Sequence, residues 1–318
     1  MTNLRLTLAC GDYDRTRALI DGRVRPTGID LTVLPISNAW ERHQRMIRHE
    51  EFDVCELSLS SFLMARDRGQ PLVAIPVFPY RMFRQSYLWC RDEIRAPKDL
   101  VGTRIGVGMY QITTALWLRG HLQHDHGIAP ARLRWVSGMA ELVPFTPPPG
   151  VELTIAPAGS DLEEMLLAEE LDAYVGVEGI PPGYADDARV HRMFGVQDER
   201  DYFRRTGIFP IMHTIAFRAS VIEENPWAAV SLLQAFRQAK AWAREYNYFP
   251  RVSTLAWTLN YQEDEAAILG PDPYPYELPR NRHVMETAIS YAVEQGLIGR
   301  APNVDDLFVT GALDFPER

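Results

Sequence analysis

The first ninety residues alternate between apolar segments of strand length and amphipathic segments of helix length. The strand-like segments lie at residues 4–9, 30–34, 52–57, 72–78 and 86–90. The helix-like segments between them lie at residues 13–20, 39–49 and 60–68. Strands that alternate with helices in this way are typical of an α/β sheet.

A second set of strands and helices follows, and the chain then becomes helical. Strands are predicted at 104–107, 133–136, 151–155, 173–177 and 209–217, and helices at 113–124, 162–169, 226–247, 252–260 and 282–295. Two such sets predict a two-lobe α/β fold, with residues 1–91 and 213–318 in lobe 1 and residues 92–212 in lobe 2. We expect a ligand cleft between the lobes, where strands end and helices begin.

Charge and cysteine content narrow the function classes. The chain has 33 Lys and Arg against 42 Asp and Glu, a net charge of −9, which argues against a nucleic-acid binder. An anionic ligand would therefore need arginines that are concentrated locally. The three cysteines form no CxxC pair, so neither a disulfide framework nor a zinc knuckle is predicted. No segment is long and apolar enough to span a membrane, and no export signal is evident, so we expect a soluble, cytoplasmic protein.

Polar residues follow the first predicted strand. Asp12 and Tyr13 stand where a strand turns into a helix, a position that presents side chains to a ligand. Asp12 fits an N-cap of that helix equally well. Cys10, just before them, fits a small packed residue better than a nucleophile.

A carboxylate interrupts the third predicted strand. Glu56 lies near the end of that buried strand, where desolvation is expected to raise its pKa, as a proton donor requires. Ser58, Ser60 and Ser61 follow, and these serines either donate to a ligand or cap the next helix.

Two arginines stand among aromatic residues between two apolar strands. Arg81 and Arg84 belong to the segment FPYRMFRQ. A guanidinium binds carboxylates through two parallel hydrogen bonds and stacks on aromatic rings, so these arginines suit an aromatic carboxylate. The alternative is surface charge on a connecting loop.

A glycine-bearing loop leads into the helix predicted at 113–124. Such a helix N-terminus favours anions, and the expected donors there are Tyr110, Gln111, Thr113 and Thr114. The loop matches neither a Walker nor a dinucleotide-binding fingerprint. Glu178, after the strand at 173–177, is a further candidate for the wall of the cleft.

Histidines supply the last candidates. His213 lies in an apolar strand where the chain passes between the predicted lobes, so it is either a satisfied core residue or a proton carrier in the cleft. His121, His124 and His126 suggest a metal cluster at first sight. No HExxH or similar signature accompanies them, so we expect a solvated helix end.

Six segments of the chain carry a family resemblance: CGDYDRTRALIDGRV, FDVCELSLSSFL, FRQSYLW, GVGMYQITTALWLRG, FPIMHT and NRHVMETAISYAVEQGLI. In this order, and over nearly the whole chain, they resemble the 4,5-dihydroxyphthalate decarboxylase family. The resemblance implies a fold similar to type 2 periplasmic binding proteins. It also implies loss of CO2 from 4,5-dihydroxyphthalate to give protocatechuate in phthalate degradation. It brings no established set of catalytic residues.

These residues suggest a mechanism for decarboxylation. A proton must reach the ring carbon that bears the carboxylate, and we expect Glu56 or His213 to donate it. The arginines and the helix start at 111–114 would bind carboxylates, and Asp12 with Tyr13 would hold the ring hydroxyls. No organic cofactor and no metal ligand are predicted, although a divalent metal on the catechol oxygens is left open.

Two other functions are left open by the sequence. A cytoplasmic solute-binding protein for a small aromatic carboxylate would have the same fold without catalysis. A thiamine-precursor synthase would be expected to have a site rich in His and Cys, which is not evident here. We expect a small aromatic carboxylate as partner and neither nucleic acid nor membrane, and the sequence leaves a homo-oligomer open.

Overall fold

The computed structural model describes residues 3–177, 179–181, 183–315 and 317. The chain divides into two units. Unit 1 consists of residues 1–81, 211–286 and 302–318, and unit 2 of residues 82–210 and 287–301. Each unit is built on one sheet.

Unit 1 contains a five-stranded sheet in the order β2-β1-β3-β11-β4. Its strands are β1 Leu4–Cys10, β2 Ile29–Pro35, β3 Val54–Ser58, β4 Leu72–Ile75 and β11 His213–Arg218. The pairs β1–β2 and β1–β3 are parallel, whereas β11 runs antiparallel to both β3 and β4. All five residues of β3 are buried, as expected of a strand in the middle of a sheet.

The helices of unit 1 accompany this sheet, and the longest of them packs on it through an apolar face. They are α1 Asp14–Ile20, α2 Ala39–His49, α3 Leu59–Asp67, α7 Ala219–Glu224, α8 Trp227–Asn247, α9 Thr258–Leu269 and α11 Thr310–Leu313, together with the start of α10 Arg282–Glu294. Helix α8 buries Leu232, Leu233 and Phe236 in a core that also contains Leu8 and Phe217 from the sheet. The sheet and its longest helix therefore share one hydrophobic core.

Unit 2 contains a six-stranded sheet in the order β10-β5-β9-β6-β7-β8. Its strands are β5 Leu88–Arg91, β6 Arg104–Val107, β7 Arg134–Ser137, β8 Glu152–Ile155, β9 Ala173–Val175 and β10 Val190–Arg192, and its helices are α4 Thr113–His126, α5 Leu162–Leu167, α6 Val196–Thr206 and the rest of α10. A Cβ on Gly120 would lie 2.1 Å from the ring of Tyr291. Glycine is therefore required where α4 meets α10.

The structure differs from the predicted elements in several places. Strand β5 pairs with β9 and β10, so residues 82–91 belong to unit 2 rather than to the lobe predicted for 1–91. Residues 287–301 also belong to unit 2. The helix predicted at 252–260 is wrong, because α9 begins only at Thr258. Helix α6 and strand β10 were not predicted.

The last strand of unit 1 begins later than its apolar pattern suggests. The prediction was residues 209–217, and β11 is His213–Arg218. Pro210 lies among the residues that were predicted as strand but are not part of β11, and a proline has no N–H to donate to a sheet.

Among the residues that the structure describes, no helix combines the length and apolar character that crossing a bilayer requires.

Candidate functional site

Adjacent strands of unit 1 bring Glu56 and His213 together. Glu56 lies in β3, and His213 is the first residue of β11, which pairs antiparallel with β3. In the register of this pair, His213 is opposite Ser58 and Ile215 is opposite Glu56. Glu56 and His213 are thus diagonal neighbours on one face of the sheet, within reach of each other.

The Glu56 carboxylate is fully buried and accepts hydrogen bonds from three neighbouring groups. The backbone N–H of Gly11 donates to Oε2 over 2.7 Å. The Tyr13 hydroxyl donates to Oε1 over 2.8 Å, and His213 Nδ1 lies 2.5 Å from the same oxygen. Each of these bonds favours the ionised form of the carboxylate.

Arg42 of helix α2 supplies the opposite charge. Its Nη2 lies 3.1 Å from Glu56 Oε1, and both side chains are completely buried. Its Nε donates to the Glu56 carbonyl over 3.2 Å, and its Nη1 donates to the Ile36 carbonyl. Two backbone carbonyls therefore hold the guanidinium in place while its Nη2 faces the carboxylate.

These contacts reverse the expected ionisation of Glu56. Burial alone would raise its pKa, but the Arg42 charge, the His213 bond and the Gly11 N–H together hold the pKa far below its usual range. The prediction of a raised pKa for Glu56 is therefore wrong, because the sequence pattern does not reveal that Arg42 lies beside this carboxylate. Glu56 is a carboxylate at neutral pH, and His213 is the member of the pair that can carry a proton.

Two aromatic rings surround His213. The His43 ring from α2 meets it edge to face, with ring centroids 5.0 Å apart, and the Tyr80 ring lies 4.9 Å away. His43 is buried, and burial together with the neighbouring His213 and Arg42 lowers its pKa well below the ordinary value. His43 is thus a neutral imidazole that packs against His213 without adding charge.

Tyr13 links the first strand to this cluster. Besides its bond to Glu56, its ring stacks on Tyr80, with centroids 5.8 Å apart and planes 12° from parallel. A Cβ on Gly11 would lie 2.5 Å from Cζ of Tyr13, so only glycine lets the tyrosine fold back over the strand end. The guanidinium of Arg15 lies over the Tyr13 ring, with its Cζ 4.6 Å from the ring centre.

Two further predicted residues lie near this strand end but have other contacts. Asp12 is exposed and pairs with Arg17 over 2.6 Å, and the N-cap of α1 is Tyr13 rather than Asp12. Ser58 is buried opposite His213, and its hydroxyl lies 3.3 Å from that of Ser60. Ser60 and Ser61 lie inside α3 and not at its N-cap, which is Ser58. Ser58 is thus the serine that borders the cluster.

Arg81 is held by other parts of unit 1. Its Nη1 donates to the Asn281 side-chain oxygen over 2.8 Å and to the Pro273 carbonyl over 3.4 Å. Burial lowers the pKa of this guanidinium to about 10. These contacts give Arg81 a role in anchoring the segment around Asn281, and the predicted carboxylate binding stays a prediction.

The remaining predicted residues belong to unit 2. Arg84 is buried and donates to the Val177 carbonyl over 3.1 Å. Thr113 and Thr114 are buried in the first turn of α4. Glu178 lies outside the described residues.

The loop before α4 holds a carboxylate from its own unit. The backbone N–H groups of Tyr110 and Gln111 donate to the two oxygens of Glu141 over 2.7 and 2.9 Å. The Gln111 side-chain oxygen accepts from Val143. The N–H groups of this loop thus bind an internal carboxylate, and the predicted binding of a ligand anion at this helix start stays a prediction.

Neither a three-ligand metal cluster nor a reactive thiol stands out in the described part of the chain. Within residues 3–177, 179–181, 183–315 and 317, no three His, Cys, Asp or Glu side chains are grouped to hold a metal. The three cysteines are buried thiols, and burial raises the pKa of Cys10 far above its ordinary value, in line with a packed residue rather than a nucleophile.

Sequence reasoning found three members of this cluster and missed three. Glu56, His213 and Tyr13 were predicted, whereas Arg42, His43 and Tyr80 were not. Arg42 and His43 lie on a helix whose polar residues suggested a solvent face. The buried charge of Glu56 was the available signal, since such a carboxylate requires a cation nearby.

Two curated proteins are similar to this chain. The 4,5-dihydroxyphthalate decarboxylase of Comamonas testosteroni is 33% identical over 331 aligned positions, which cover 99% of both chains. The chain belongs to the 4,5-dihydroxyphthalate decarboxylase family. The enzyme of the same name from Pseudomonas putida is 38% identical over 185 positions, 55% of this chain and 71% of that protein. No protein-family model matches the sequence.

Solved structures show the fold of this family member. The periplasmic aliphatic sulphonate-binding protein SsuA of Escherichia coli aligns with a TM-score of 0.57 at 14% identity, covering 99% of this chain and all of that one. The alkanesulfonate-binding protein SsuA of Xanthomonas axonopodis, bound to MOPS, gives 0.55 at 12% identity and covers 98% of each chain. The predicted α/β fold of the periplasmic-binding-protein type is confirmed.

Proposed function

We propose that this protein removes one carboxylate of 4,5-dihydroxyphthalate as CO2 and leaves protocatechuate. The observation that carries the proposal is the match to a decarboxylase of that name along 99% of both chains. In this substrate each carboxylate is para to one hydroxyl, and the two carboxylates are equivalent by symmetry. Either one can therefore leave by the same route.

The chemistry requires a proton at the carbon that loses CO2. A ring hydroxyl releases electron density towards the para carbon, that carbon takes a proton, and the bond to the carboxylate then breaks to restore the aromatic ring. One proton is consumed and one CO2 is released. The protein must supply a proton donor and a base that keeps this donor oriented.

We propose His213 as the donor and Glu56 as the group that orients it. The 2.5 Å contact between Nδ1 and the buried carboxylate leaves Nε2 as the atom that would transfer the proton. An ionised carboxylate behind an imidazole stabilises the protonated ring and fixes its tautomer, as in catalytic triads. Glu56 itself would stay ionised because of Arg42.

Tyr13 and Tyr80 would bind the ring of the substrate beside His213. Their rings stack on each other, and Tyr80 also contacts the His213 ring. Aromatic side chains stack on an aromatic ligand at little cost in conformational entropy.

The cytoplasmic location of this protein stays a prediction.

Purified protein mixed with 4,5-dihydroxyphthalate tests the proposal by chromatography for protocatechuate, with and without chelator. Product in both samples supports a reaction that needs no removable metal, and product lost only with chelator keeps the reaction and adds a metal. If no product forms but the compound raises the Tm, the protein is a binding protein for this ligand, and the proposal is wrong.

A further inference from the structure

Two imidazoles meet at the C-terminal end of α4, in unit 2. His121 Nε2 and His126 Nε2 lie 3.3 Å apart, and the rings are nearly perpendicular with centroids 4.9 Å apart. His121 is buried, so the expectation of a solvated helix end is wrong for this residue, whereas His126 is exposed. The proposed reaction uses neither residue.

Asp125 fixes the tautomer of the buried ring. Its Oδ2 lies 2.6 Å from His121 Nδ1, so that nitrogen carries the proton and donates it. The lone pair of His121 therefore lies on Nε2, the atom that faces His126. A carboxylate behind the distal nitrogen is the usual support of a metal-binding histidine. Arg205 holds the other carboxylate oxygen over 2.6 Å.

We propose that His121 and His126 bind a divalent transition-metal ion such as Zn²⁺ through their Nε2 atoms. With metal–nitrogen bonds of about 2.0–2.1 Å, a separation of 3.3 Å between the nitrogens corresponds to a nitrogen–metal–nitrogen angle of about 107°, close to tetrahedral. The ion would replace the proton that the two rings share. Water would fill the other positions, since His126 is open to solvent.

Local charge favours this site. The charges that act on His126 are the carboxylates of Asp125 and Asp198 and the guanidinium of Arg205. Two negative charges against one positive charge attract a cation. With two protein ligands, the site would exchange its metal, unlike a four-ligand structural zinc site.

The test is a titration of the full chain, first treated with chelator and exchanged into metal-free buffer. Calorimetry with ZnCl2 should give one ion per chain, and thermal unfolding should show a Tm higher by about 2 °C at a free zinc concentration of roughly ten times Kd. Bound Cu²⁺ should show coupling to two imidazole nitrogens in its electron paramagnetic resonance spectrum. Mg²⁺, which prefers oxygen ligands, should give no shift.

Matched variants assign the site. His126→Ala changes an exposed residue and should abolish binding, and Asp125→Asn should weaken it about 10-fold or more. His124→Ala is the control and should bind normally, because His124 Nε2 contacts Glu294 over 2.7 Å instead. Absence of binding, or unchanged binding by His126→Ala, would overturn the proposal.

Discussion

Replacement of Arg42 by Met tests the electrostatic basis of the proposed site. Met keeps an unbranched apolar stem but lacks the guanidinium and its charge, and Arg42 is completely buried beside Glu56, with 3.1 Å between Nη2 and Oε1. The variant leaves a buried carboxylate without its cation. Removal of one partner from a buried ion pair costs about 3–5 kcal/mol. Three donors remain on the carboxylate, from Gly11, Tyr13 and His213, so we expect a loss of about 3 kcal/mol, the lower end of this range.

The double variant Arg42→Met/Glu56→Gln separates charge from packing. A neutral amide no longer needs the cation, so the free energy of unfolding should recover by at least 1 kcal/mol relative to the sum of the two single changes. Urea unfolding followed by circular dichroism gives all four values of the cycle. Arg42→Lys is the control that keeps the charge but loses the planar contacts to the two carbonyls.

The single variant Arg42→Met should also change the pH dependence of catalysis. Without Arg42 the pKa of Glu56 should rise, because burial then dominates. The acid limb of kcat/KM should therefore move to higher pH by one unit or more. Additive unfolding energies together with an unmoved acid limb would refute the coupling of Arg42 to Glu56.

Three further predictions concern the same cluster. His213→Gln should lower kcat about 10²–10⁴-fold with little change in Tm, measured by product formation and thermal unfolding, and unchanged turnover would remove His213 from the mechanism. Gly11→Ala should lower kcat/KM at least as much as Tyr13→Phe, because its Cβ displaces the tyrosine ring, and wild-type activity would contradict the close approach. The low pKa of Glu56 stabilises the folded state above the unfolded pKa of about 4.3, and this stability is lost as pH falls towards the folded pKa, so urea unfolding of Glu56→Gln should vary less with pH below about 4.5 than that of the wild type.

The sequence predicted the order of the elements better than their partners. Period-two and helical patterns located β1, α2 and β6 within a residue, because burial of one face leaves a direct trace in the sequence. Strand β5 was also found, but its pairing with β9 depends on contacts about 85 residues away. Its assignment to a lobe therefore required the tertiary structure.

The site shows the same division between local and tertiary information. Glu56 and His213 were found because a charged or titratable residue in an apolar strand is conspicuous. Arg42 was missed because its helix has polar residues that suit a solvent face, whereas its guanidinium is fully buried. The predicted pKa of Glu56 was wrong for the same reason, since the local sequence gives burial but not the cation on helix α2.

The four groups around Glu56 do more than neutralise a buried charge. The Arg42 guanidinium, the Gly11 N–H and the Tyr13 hydroxyl already favour ionisation, so the His213 contact is not needed for that purpose. Buried ion pairs add little to stability compared with apolar side chains of the same size. A pair that served stability alone could therefore be replaced without loss. We accordingly expect the double variant Arg42→Met/Glu56→Gln to fold and yet to lose turnover, because a neutral amide cannot stabilise a protonated His213. Full activity in that folded variant would show that the carboxylate has only a structural role.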